Sequence, residues 1–83
     1  MAQVALLHHG EKVVQKGMAT PKRASSVDHW FKEAKKACQR ELGPTWRAIA
    51  YTKSNVSLER IEFALAVGGY QLVIDRTANQ LGR

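Results

Sequence analysis

The stretch GPTWRAIAYTKSNVSLERIEFALAVGGYQLVI, from Gly43 to Ile74, supports two incompatible hydrophobic periods, and the one that prevails decides the fold. In the helical drawing, Thr45 caps a short helix over Trp46 to Thr52, and Lys53-Ser54-Asn55 is a turn. Ser57 then caps a second helix over Leu58 to Val67, with Leu58, Ile61, Ala64 and Leu65 on one face. Gly68-Gly69 supply a left-handed end, and Tyr70 to Asp75 alternates as a strand. In the extended drawing, WRAIAYTK, LERIEFALAV and YQLVIDR are three antiparallel strands turning at Ser54-Asn55 and Gly68-Gly69. Ile61, Phe63, Leu65 and Val67 then share a face. Alanines and a Leu-Glu-Arg opening are poor strand material, which favours the helix over 58–67. The expected fold is mainly α with minor β, the alternative being α+β, one helix packed on an antiparallel meander.

The segment before it is less ambiguous. Ser25 with Asp28 three residues on reads as a capping box. Val27, Trp30, Phe31, Ala34, Cys38 and Leu42 recur at helical spacing until Gly43-Pro44 stops the helix. Lys32, Lys36 and Arg40 are four apart and stack along another face, open to a phosphate backbone or to water. Upstream, QVALLHH and KVVQ flank Gly10 and suit either a hairpin or a helix. GMATPKRASS is a loop or arm. We therefore divide the chain into an N-terminal hairpin or arm, 1–26, and a domain over 27–83.

Composition narrows the function. Eighty-three residues, 45% of them hydrophobic, allow only a modest core, so a homodimer is expected. No apolar run reaches the roughly 18 residues that cross a bilayer, and MAQVALLHHG lacks the features of a signal peptide, so the chain is expected in the cytosol. Its one cysteine, Cys38, has no internal partner for a disulfide. Between Lys12 and Lys53, ten basic residues face three acidic ones, whereas the signs balance afterwards. Such a half matches a polyanion, most commonly nucleic acid, although a solvated surface has the same composition.

NVSLERIEFALAVGGYQLVI resembles the closing part of small Xre/Cro-type helix-turn-helix proteins, antitoxin-type repressors included. The resemblance covers residues 45–74 and implies a helix-turn-helix domain with a C-terminal strand, acting as a DNA-binding transcriptional regulator on duplex DNA. Two registers fit, each with an insertion. One places Thr45 and Arg47 on the groove-reading helix; the other places Asn55, Ser57 and Arg60 there. Lys53, Ser54 and Asn55 lie at the turn in both, where turn chemistry alone also accounts for the Ser and Asn. Lys36, Arg40, Lys22 and Arg23 are candidate phosphate contacts.

Other chemistry finds little footing. His8 and His9 are adjacent, His29 and Cys38 fall at no zinc spacing, and neither a phosphate loop nor paired carboxylates stand out. No enzyme, metal or cofactor is expected. A small α+β inhibitor of another macromolecule, or an RNA-binding meander with Trp46 and Tyr51 stacking on bases, are the other classes in view.

Overall fold

The computed structural model describes residues 2–44 and 50–77. The chain opens with β1 (Ala2–His8) and β2 (Glu11–Met18), continues through α1 (Val27–Ala37) and α2 (Gln39–Leu42), and closes with β3 (Tyr51–Val56), β4 (Arg60–Leu65) and β5 (Tyr70–Asp75). The strands form one antiparallel sheet in the order β2-β1-β5-β4-β3. The N-terminal hairpin and the C-terminal meander thus share a sheet, joined where β5 pairs with β1.

The protein is therefore mainly β, not mainly α. Residues 58–67 form no helix: Arg60 to Leu65 is a strand, with Ile61 and Phe63 fully buried and Leu65 nearly so. The alternation of Ile61, Phe63 and Leu65 outweighs the local helix preference because β5 and β3 flank β4 and give its backbone groups partners. Ser54-Asn55 is not a turn in the structure. Lys53 pairs with Phe63 and Asn55 with Glu62, which leaves Ser54 as an extra residue, a bulge in the edge strand. The chain reverses later, at Ser57 to Arg60.

Each reversal has a local cause. His9 and Gly10 both have positive φ, 53° and 82°, as a two-residue hairpin loop twisted like its strands requires. At the other end of β4, the Tyr70 N–H donates to the Val67 carbonyl (3.0 Å), and Gly69, at φ 78°, takes the left-handed position. These two turns meet. The His9 N–H donates to the Gly69 carbonyl (2.9 Å), and a Cβ on Gly69 would lie 2.5 Å from the His9 ring.

The helices cover one face of the sheet. Trp30, Phe31, Ala34 and Cys38 of the expected apolar stripe are buried, with Val27 and Leu42 partly so. Against them lie Ala2, Val4 and Leu6 of β1, Ile61 and Phe63 of β4, and Leu72 and Ile74 of β5. Phe31 stacks on Tyr51 at 4.0 Å between ring centres and meets Phe63 edge-on at 5.0 Å. Each such aromatic contributes about 2–3 kcal/mol on burial, enough to hold an 11-residue helix that would be marginal alone.

The capping box does not form. Ser26, not Ser25, is the N-cap residue, and its hydroxyl meets His29 Nδ1 at 2.8 Å instead of a backbone N–H. This one-residue shift moves Asp28 out of capping reach, and its carboxylate accepts from the Tyr51 hydroxyl. The helix also breaks at Cys38, so Arg40 stands on α2, apart from the α1 turns that carry Lys32 and Lys36.

Candidate nucleic-acid interface

Strand alternation sorts the charged residues onto two surfaces. Residues directly opposite in an antiparallel pair point to the same side, so register alone assigns each strand residue to the helix side or the open side of the sheet. Lys16 pairs with Val4 and Lys53 with Phe63, so both project to the helix side. There they join Lys22, Arg23, Lys32, Lys35, Lys36 and Arg40 of the helical layer. Among the described residues, these eight and Arg76, which lies over Trp30, make nine cations against four acids, Glu11, Asp28, Glu33 and Glu41, with Glu59 in the β3–β4 turn. The open side carries Lys12 and Arg60 against Glu62 and Asp75. The basic excess of the described chain thus lies on the helix side, and the open side is neutral.

Some helix-side cations are engaged locally. Lys16 pairs with Glu41 at 3.1 Å and holds that carboxyl below its usual range. Lys36 lies 3.7 Å from Glu33, and the Lys35 ammonium sits 5.6 Å from the Phe31 ring centre. Exposed pairs of this kind are worth about 0–1 kcal/mol, so an incoming phosphate can compete for the same ammonium.

Arg76 organises one end of this surface. Its guanidinium lies 5.2 Å from the Trp30 ring and donates to the Ala24 carbonyl (3.2 Å) and the Ser57 carbonyl (2.8 Å). Its backbone N–H donates to the Glu59 carbonyl (2.8 Å). One side chain thereby ties the loop that carries Lys22 and Arg23 to the β3–β4 turn. The Ser57 hydroxyl closes that turn, accepting from the Arg60 N–H (3.0 Å) and donating to the Arg60 carbonyl (3.1 Å). On it stands Leu58, 84% exposed, with Val56 beside it on the helix side.

The structure redistributes the residues proposed from sequence. Lys53, Ser54 and Asn55 are exposed on edge strand β3, with Lys53 toward the helix side and Asn55 toward the open side. Ser57 shapes its turn, and Arg60 is paired with Glu62 (3.1 Å) on the open side. Ser57 and Arg60 therefore start no reading helix, because the segment is a hairpin end. Lys36, Arg40, Lys22 and Arg23 are exposed in the helical layer, and Thr45 and Arg47 lie outside the described residues. Lys16 and Arg76 escaped sequence reasoning. Only register places the first, and only the meeting of two distant turns gives the second its role.

Two other side chains are engaged by the core. Tyr51 stacks on Phe31 and meets Phe63 edge to face, so its ring is engaged by the core; Trp46 lies outside the described residues. Burial, reinforced by Glu41 and opposed by Lys16, pushes the Cys38 thiol up to about 11, so it stays protonated at neutral pH. Among the described residues no cluster of three or more His, Cys, Asp or Glu could hold a metal ion, and no helix is long and apolar enough to cross a membrane. No family model, no curated protein and no solved structure matches the chain.

Proposed function

We propose that this is a cytosolic duplex-DNA-binding protein that grips the phosphate backbone with its helix side and regulates by occupying DNA. The observation that supports the reading is the segregation of charge among the described residues, nine cations to four acids on one side and two to two on the other. Phosphate contact needs exposed, flexible cations over a broad surface, which Lys22, Arg23, Lys32, Lys36, Arg40 and Lys53 supply. If about four of them displace counterions, log K falls with log salt at a slope of roughly −4. Fluorescence anisotropy with a labelled random duplex, at about 50 and 200 mM salt, tests this. Micromolar binding that weakens about a hundredfold across that range is expected. No binding at the lower salt overturns the reading.

A second reading has its own observation. The backbone phosphates offer nothing to Leu58 and Val56, whereas an acidic protein with an apolar pocket would engage both them and the surrounding cations. The protein would then be an inhibitor of another macromolecule. Loss of binding in Leu58→Ser with duplex affinity unchanged would mark such a partner.

A further inference from the structure

The open side of the sheet is covered by nothing among the described residues, although Ala5, Leu7, Ala64 and Val73 stand half-buried on it. The side chains form a shallow concavity of about 280 Å³ floored by Ala5, Leu7 and Val73. Register lays the face out as a grid with three rows. One row runs Lys12, Leu7, Gln71, Ala64, Thr52 across the five strands. The next runs Gln15, Ala5, Val73, Glu62, Asn55, and the last Gly17, Gln3, Asp75, Arg60.

We infer that this face is a homodimer interface whose two-fold axis runs along the seam between β1 and β5. Two sheets packed face to face keep their strands nearly aligned, so a two-fold axis along the strands exchanges β1 with β5 and β2 with β4. In the middle of the face, Ala5 then meets Val73 of the second copy, Leu7 meets Gln71, and Gln3 meets Asp75. Toward the rim, Lys12 meets Ala64, Gln15 meets Glu62, and Gly17 meets Arg60. No like charges oppose one another, two carboxylates each gain an amide donor, and the longest side chain faces the residue without one. Three other axes do worse. An axis along β5 sets Asp75 on Asp75, one across the strands at the middle row sets Glu62 on Glu62, and one between β5 and β4 sets Val73 on Glu62.

Net charge favours the same occupant. On a chain of net charge +6, a second copy meets net repulsion at the helix side and none at this neutral face. The four strands that overlap, at about 4.8 Å each, and six residues at about 3.3 Å make a face of roughly 19 by 20 Å. Two copies then bury roughly 800 Å², under the ~1,000 Å² of stable specific interfaces, so the dimer is of the small, transient class and forms at high protein concentration.

Sedimentation velocity from micromolar to millimolar protein tests the inference. The wild type is expected to dimerise, and Ala5→Glu and Val73→Lys are each expected to weaken it at least tenfold. Mixing the two variants should restore a dimer, because the introduced carboxylate of one chain meets the introduced ammonium of the other. A wild type monomeric at millimolar concentration, a dimer indifferent to both substitutions, or a mixture that stays monomeric overturns the inference. Should either variant lose its circular dichroism signature, a short bismaleimide decides on chains that keep the face. Coupling of Gln15→Cys to Glu62→Cys chains supports the interface, and absence of coupling overturns it; neither outcome depends on DNA.

Discussion

The helix side and the open side belong to the same five strands, yet they differ in nearly every property that governs contact. One is apolar beneath a helical layer and basic on its outside. The other is small, mixed and neutral. Register with period two produces the difference, since a one-residue slip in any strand would exchange its two sets of side chains. The lesson is that a sheet this small can hold its fold with one side while keeping the other free for a separate task. Four experiments test that contrast.

The largest effect is expected in the core. Trp30→Ala removes a buried ring, the platform under Arg76 and the donor to Ala24, and should cost about 3–5 kcal/mol, which unfolds a marginal domain. Val73→Ala, on the open side, should cost under about 1 kcal/mol. Equal losses in urea melts would erase the distinction between the sides.

Charge comes next. Replacing Lys32, Lys36 and Arg40 together by Ala should lower the salt slope of DNA binding by up to about three units and affinity by roughly a hundredfold at low salt. Lys12→Ala with Arg60→Ala, on the open side, should leave both unchanged within about twofold. A larger loss from the open-side pair would move the phosphate surface to the other face.

A smaller effect is expected where the two turns meet. Gly69→Ala places a methyl against the His9 ring on a backbone with φ 78° and should cost about 1–3 kcal/mol. Gly10→Ala, equally left-handed but with open space around it, should cost less. Melting temperatures of the two variants check the order.

The smallest effect is in alkali. Cys38 has a folded pKa near 11 against a reference of 9.0, so the unfolded chain loses this proton first as pH rises. Its contribution is therefore constant below about pH 9 and turns destabilising between pH 9 and 11. The melting temperature of the wild type should fall across that window more than that of Cys38→Ala. Parallel curves would mean that the thiol is not shielded.

The helix over 27–37 was legible because its apolar stripe has only one period, and Trp30, Phe31 and Ala34 fell on the buried face that spacing assigns. The C-terminal half misled because IEFALAV satisfies two periods, and local propensity chose the wrong one. What decides between them is not local. β4 is held by β3 and β5 on its two flanks, and β5 must in turn find β1, more than sixty residues away in sequence. The basic residues of the candidate interface could be counted in the sequence, but not sided. Lys53 and Asn55 reach opposite faces because Ser54 is a bulge, and a reading that makes Ser54 a turn cannot see that.

That bulge has a counterpart. β2 has a register shift opposite Leu6 and Leu7 where β3 has one at Ser54, so both outer strands of the sheet are irregular, and each carries lysine. An edge of free amides and carbonyls is a template on which further strands can add, and straight, uncharged edges grow ribbons. Here each border is irregular and carries lysine beside the place that an added strand would take. Growth of the sheet by strand addition at either border is therefore disfavoured, whatever the flat of the sheet meets.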